Sequence, residues 1–314
     1  MKLRVISPSK SLSIIDKSVI DQATKKLNSL GYEVYIAENA FCTQKFYECG
    51  TIEKRIEDIN NAFKSDADII MTSIGGYNCN QLLPHIDYDL IKNNPKKLCG
   101  FSDITALLNA IYAKTGIITY YGPHFSSFGM KKGLEYTVRH FINIFDKGYD
   151  EIDNSKYYRD DLWFINQENY NKRINRGMVV LNSGEAEGTI LGGNLCTFNL
   201  LQGTEFMPNA KSIILFLEDD SESAENFLLE FDRNLESLMQ TEIWNNVTAM
   251  VIGRCQIASK MTIEKWKKLF STKKNLKNIP IIINANFGHT TPIVTIPIGG
   301  HAIISKEGKI KMEG

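Results

Sequence analysis

The chain of 314 residues lacks any imbalance of charge: Lys+Arg is 36 and Asp+Glu is 36, for a formal net charge of zero. Without a broad basic field there is no case for nucleic acid as a partner. No apolar run approaches the ~18 residues that a membrane span needs. The opening MKLRVISPSKS has no long apolar core of the secretory kind, so the expectation is a cytoplasmic protein that does not engage a membrane. Six cysteines are scattered at positions 42, 49, 79, 99, 196 and 255, with no C-x-x-C pair, and the five histidines form no H-E-x-x-H. That spacing argues against zinc and against a disulfide framework, so no metal is expected. Cys99 and Cys196 sit in apolar runs and read as small core residues.

What is present is an ordinary globular composition, 43% hydrophobic and 23% charged, long enough for one large domain or two of common size. Short apolar runs alternate with helical stripes over residues 1–150. Strands are expected at Leu3–Ser7, Glu33–Ala37, Asp68–Ile74, Lys97–Phe101 and Ile117–Tyr121. Helices are expected where Ile20, Ala23, Leu27 and Leu30, and then Ile52, Ile56, Ile59 and Phe63, recur at helical spacing. This order predicts an N-terminal α/β domain with a doubly wound, mostly parallel sheet. Residues 151–176 are polar, charged and aromatic without a period, and read as an extended loop or linker. Residues 177–314 return to α/β patterning with more strand, giving a strand-rich C-terminal domain. Its tail reads as β-hairpins around Gly299-Gly300 and Gly308.

The most informative stretch is Leu98-Cys99-Gly100-Phe101-Ser102-Asp103-Ile104. An apolar strand ends on glycine, a serine follows, and an amphipathic helix starts with Ile104, Leu107, Leu108 and Ile111 on one face. Ser102 therefore lies on a strand-to-helix turn beside unpaired backbone N–H groups, as a hydrolase nucleophile would. An N-cap serine explains the same pattern. A nucleophile needs a base. His124 follows Gly122-Pro123 after a strand, and His289 follows the apolar strand Ile281–Ala285, so both suit a rim, whereas His140 reads as a surface or boundary residue. Glu218 closes the buried-type strand 213–217 and is placed to orient a histidine, or else to favour the following helix N-terminus. The Gly75-Gly76 pair lets backbone approach a ligand and is equally an ordinary turn.

Together, IGGYNCNQLLPHIDYDLI, CGFSDITALLNAIY, LFLED, GGNL and NANFGHTTP resemble the serine LD-carboxypeptidase family, and within it the microcin C immunity peptidases. The resemblance runs through nearly the whole chain. It implies a Ser-Glu-His triad of Ser102, Glu218 and His289, and an oxyanion hole from the N–H groups of Gly76 and Asp103. It implies a homodimer that needs no cofactor. Murein LD-carboxypeptidases carry Arg-Gly-Gly-Tyr-Gly at the diglycine, whereas this chain has Ile74-Gly75-Gly76-Tyr77-Asn78. That difference favours the immunity subgroup, with Asn78 and Asn194 as substrate-binding residues. Trp163, in the 151–176 loop, would stack on a nucleobase, and a packing role suits it too. The resulting expectation is a serine peptidase that cleaves the aspartyl-type amide of a microcin C-like aminoacyl-nucleotide. A murein peptidase releasing D-alanine from a tetrapeptide, and a non-catalytic small-ligand binder on the same scaffold, are the alternatives.

Overall fold

The computed structural model describes residues 1–168 and 170–314. It contains two large sheets. The first takes β1 (Lys2–Ile6), β2 (Glu33–Ile36), β3 (Ile69–Thr72), β4 (Lys97–Gly100) and β5 (Thr119–Tyr121), all parallel, in the order β5-β4-β3-β1-β2. Its strands are short and apolar because both faces are covered: Leu3, Val5, Ile69, Ile70, Leu98 and Cys99 have no exposed surface. Helices Lys17–Ser29 and Ile52–Lys64 supply the crossovers, and their expected apolar stripes are the buried ones, including Ala23, Leu27, Ile59 and Phe63.

The chain enters the second sheet through β6 (Tyr149–Glu151). A small antiparallel pair follows, β7 (Tyr157–Tyr158) with β8 (Arg173–Ile174), so the 151–176 segment carries its own strand pair. It is tied down further by Arg159 and Thr291, which exchange backbone hydrogen bonds of 2.8 Å in both directions. The remaining strands are β9 (Val179–Asn182), β10 (Ala186–Asn194), β11 (Ile213–Glu218), β12 (Val247–Gly253), β13 (Ile281–Ala285), β14 (Ile296–Ile298), β15 (His301–Ile304) and β16 (Ile310–Glu313). The eight-stranded sheet runs β6-β16-β15-β10-β11-β12-β13-β9, with β10 to β13 parallel at its centre.

Four expectations need correction. Gly299-Gly300 does not turn a hairpin. β14 pairs antiparallel with β5 of the first sheet, Gly299 and Gly300 exchange backbone bonds with Ile190 of β10 in the second, and in this tail only β15 and β16 form a hairpin, around Gly308. The helix Thr105–Thr115 is not half-exposed, because residues Thr105 to Ile111 are all buried. It lies against both sheets, and Asn109 is satisfied there by the Thr105 carbonyl and by both backbone groups of Gly192 in β10. His140 is fully buried, with Asp150 on Nδ1 and Asp153 on Nε2 at 3.0 Å. Cys196 is exposed on a short helix, Leu195–Asn199, and is no core residue.

Removing His140 would strip the buried Asp150 of a partner. His140→Leu should cost about 3 kcal/mol of stability in urea unfolding.

Candidate active site

In parallel sheets the loops after the strands' carboxyl ends form the ligand edge. Here both sheets turn that edge toward the same cleft. The first sheet contributes Ser9 after β1, Gly75-Gly76 after β3, Ser102 after β4 and His124 after β5. The second contributes Asn194 at the end of β10, Glu218 at the end of β11 and His289 after β13.

Ser102 has φ of +60°, a left-handed conformation that side chains rarely adopt. It opens a short helical turn, Ser102–Ile104, and it makes no N-cap bond, since the cap position is Phe101. The serine is thus held off the helix and toward the cleft. His289 Nε2 lies 3.0 Å from Ser102 Oγ, and His289 Nδ1 lies 2.7 Å from Glu218 Oε2. The other carboxylate oxygen of Glu218 accepts from the Tyr121 hydroxyl at 2.6 Å and the Asn194 amide at 3.3 Å. Glu218 is 2% exposed. Its two oxygens therefore face donors on every side that burial leaves open. Gly288 is required by this packing: a Cβ there would sit 2.4 Å from Glu218 Oε2.

Burial works against charge on Glu218, but the adjacent His289 and the hydrogen bonds from His289, Tyr121 and Asn194 hold its carboxyl below the usual range. Burial likewise opposes charge on His289. The Glu218 carboxylate, its hydrogen bond, and the charges of Asp220 and Asp219 overcome that and raise the imidazole from 6.5 to about 9. Asp219 is itself raised from 3.8 to about 7, by burial and by the charges of Glu218 and Asp220. This geometry suits a hydroxyl that gives its proton to an imidazole whose tautomer is fixed by a carboxylate.

The backbone amides of Gly76 and Asp103 donate to no other group among the described residues. Both residues line a cavity of about 290 Å³ together with Ser102. The Asp103 side chain clamps this region: its Oδ2 accepts from the backbone N–H groups of Asn78 at 3.0 Å and Cys79 at 2.8 Å, and from the Ser9 hydroxyl.

Asn78 is placed away from the cleft, whereas Asn194 lines the smaller cavity with its side chain already engaged. Asn78 is turned inward, with its amide on Cys49 Sγ and its carbonyl groups on the buried Arg55. Asn194 is 1% exposed. Its side-chain nitrogen donates to Glu218 and Asp219, and its oxygen accepts from the Thr197 amide and hydroxyl. It positions the acid. Trp163 lines a second cavity of about 610 Å³, beside Leu162, Phe164, His289 and Ile74. Its indole is also partly packed on the core beneath the first sheet. Tyr121 is the residue that sequence reasoning missed. It ends a buried strand, and a phenol there needs a polar partner, a signal that was readable.

The donor atoms of Cys196, Asp219 and Asp220 come within 4.8 Å of one another, near enough to share a cation. Although Cys196 as a whole is exposed, its thiol is turned toward the protein, and that partial desolvation together with the charges of Asp219 and Asp220 pushes it up, which disfavours the thiolate a metal would need.

Models of the LD-carboxypeptidase N-terminal domain and C-terminal domain match residues 3–122 and 187–304. The chain is 49% identical over 302 residues to the protein named "Putative carboxypeptidase YocD" of Bacillus subtilis (strain 168), covering 95% of this chain and 91% of that one. It is 34% identical over 281 residues to the microcin C7 self-immunity protein MccF of Escherichia coli, covering 84% and 79%. An MccF-like protein from Bacillus anthracis superposes with a TM-score of 0.97 at 48% identity, covering 99% of this chain and 96% of that one. MccF in complex with glutamyl sulfamoyl guanosine superposes with a TM-score of 0.88 at 29% identity, covering 100% and 96%. The chain belongs to the LD-carboxypeptidase family and is a serine-type peptidase.

Proposed function

We propose that this protein hydrolyses the amide of an aminoacyl-nucleotide through Ser102, His289 and Glu218. The observation that carries the reading is the pair of contacts made by one imidazole, 3.0 Å to Ser102 Oγ and 2.7 Å to Glu218 Oε2. Ser102 Oγ attacks the acyl carbon as His289 Nε2 takes its proton. The carbonyl oxygen becomes an oxyanion between the N–H groups of Gly76 and Asp103, each donor supplying about 3 kcal/mol in comparable sites. His289 then gives the proton to the departing nitrogen, and water releases the acyl group from Ser102 by the same route in reverse.

The two cavities divide the substrate. His289 lines the larger one and not the smaller. The departing nitrogen must meet His289, so the leaving group occupies the larger cavity, where Trp163 and Phe164 offer aromatic surface to a nucleobase, worth ~1–3 kcal/mol. Ile74 lines the same space where murein LD-carboxypeptidases carry an arginine, and the lysine of that lining, Lys10, is paired with Glu48 at 2.7 Å. The acyl half faces the smaller cavity, whose charged lining is Asp103, Asp219, Asp220, Glu222 and Glu230, with no basic residue. An aspartyl side chain would meet like charge there. A neutral or positively charged acyl group fits this lining better than the aspartyl group expected from the sequence. Assembly as a cytoplasmic homodimer belongs to the same reading, and sedimentation measures the assembly.

Incubated with leucyl-, lysyl-, aspartyl- and glutamyl-sulfamoyl adenosines and an LD-tetrapeptide, the enzyme should cleave the first two fastest by mass spectrometry. Ser102→Ala serves as the blank. Release of D-alanine alone would transfer the assignment to a murein peptidase. The base must be neutral to accept a proton, so kcat/KM should rise with pH along a limb centred above 6.5. Asp219→Asn removes a charge that raises His289 and should move that limb downward in the pH–rate profile. Ser102→Gly should abolish turnover yet resist denaturant better by about 1 kcal/mol, because glycine accepts the left-handed backbone freely.

A further inference from the structure

Two buried donor-capable atoms on the lining of the larger cavity have no hydrogen-bond partner among the described residues, His124 Nε2 and Thr290 Oγ1; the same lining holds both buried oxygens of the Asp161 carboxylate, of which Oδ1 is paired with Arg159 Nε at 3.1 Å. His124 and Thr290 are 3% and 2% exposed. An unpaired buried polar atom costs roughly 1–3 kcal/mol, so two of them lining one cavity point to something that completes them.

The state of His124 follows from its surroundings. Its Nδ1 lies 2.8 Å from the hydroxyl of Thr72, which has no exposed surface and no other hydrogen bond among the described residues. If Nδ1 donated, the Thr72 hydroxyl proton would be left without an acceptor. Thr72 therefore donates to Nδ1, and the ring proton sits on Nε2. Burial, with a contribution from the charge of His289, lowers the imidazole from 6.5 to about 3, so it is neutral at working pH. Phe101 fixes the ring plane: it stacks on His124 with centroids 4.3 Å apart and meets His289 edge-on at 5.4 Å. The ring cannot easily turn away.

The position is close to the reacting centre. A methyl group built on Gly75 would lie 3.2 Å from Ser102 Oγ and 3.5 Å from His124 Nε2, so the two atoms flank one point. Thr290 follows His289 directly and lines the same cavity. The lining also brings Lys10 near, while Asp160, Asp161, Asp220 and Glu222 stand round the same rim.

We propose that His124 Nε2–H and the Thr290 hydroxyl form a subsite for acceptor oxygens on the group attached to the departing nitrogen. The inference rests on the serine amidase reading above. The ligand chemistry is an oxygen-bearing centre bonded to that nitrogen. A sulfamoyl or phosphoryl group has it; a D-amino acid offers the same acceptor oxygens one carbon farther out, on its carboxylate. As the C–N bond breaks, its electron pair moves to nitrogen, which takes its proton from His289. Donors on the adjoining oxygens steady that negative charge and hold the nitrogen over His289. His124 keeps its own proton throughout.

The test compares wild type with His124→Phe, His124→Gln and Thr290→Val by calorimetric titration of sulfamoyl adenosine and of adenosine. Wild type should bind sulfamoyl adenosine at least about tenfold more tightly than adenosine. His124→Phe, which keeps an aromatic ring against Phe101, and Thr290→Val should each remove most of that ratio and leave adenosine affinity in place. His124→Gln should restore part of it. Equal losses for both probes would mean that these residues only pack, and an unchanged ratio would mean that they are idle; either overturns the subsite. The same variants assayed on LD-tetrapeptide separate the two sources. A fall in kcat/KM there, with no preference for sulfamoyl adenosine in wild type, assigns the subsite to a carboxylate and removes only the nucleotide assignment. A wild type that binds neither probe and cleaves no substrate removes the subsite and the amidase reading together.

Discussion

The buried carboxylate of Glu218 is the interaction on which the site depends. A charged group in the interior persists only when its oxygens are matched by donors. Tyr121 comes from the first sheet, Asn194 and His289 from the second, and His289 then reaches back to Ser102 on the first. One acid thus fastens the two sheets at their carboxyl edges and fixes which nitrogen of His289 faces the serine. Its surroundings are shaped to admit it. A Cβ at Gly288 would strike its carboxylate, and one at Gly253 would lie 2.7 Å from its own Cβ.

The architecture separates chemistry from selection. Ser102, His289 and Glu218 are set by strand ends, whose geometry the sheets hold rigidly. The cavities on either side are lined by loops: the 151–176 segment with Trp163 on one side, and the acidic turn after β11 on the other. Loops can vary while the scaffold stays fixed, so a family likeness across the whole chain identifies the machinery more firmly than its substrate. The acidic lining around Asp219 acts on both. On the proposed reading it disfavours an anionic acyl group, and it raises the proton affinity of the very imidazole proposed as the base.

Much of the first sheet was readable because period and composition agree. β1, β3 and β4 are short apolar runs closed by turn residues, and the helices between them carry clear stripes. The errors have one physical origin, which is that local patterning reports burial on one face only. The helix Thr105–Thr115 looked amphipathic because Asn109 and Thr105 are polar, yet both are satisfied by backbone and lie inside. His140 looked like a boundary residue because nothing local reveals Asp150 beside it. β14 looked like half of a hairpin because its pairing partner, β5, lies far back in the chain. Asn78 and Asn194 stand in segments that adjoin the cleft, but their side chains are taken up by Arg55, Cys49, Glu218 and Asp219.

The sequence by itself determined the alternation of strand and helix, the turn that carries Ser102, and the strand ends that carry Glu218 and His289. These follow from residue order, because hydrophobic period and turn chemistry act over a few residues. Only the tertiary structure decided that these three meet, that Tyr121 joins them, and that His124 and Thr290 face the cleft without partners. Those facts depend on contacts between residues 71 to 187 positions apart in the chain, where burial and hydrogen bonding are settled by the packing of one sheet's edge against the other.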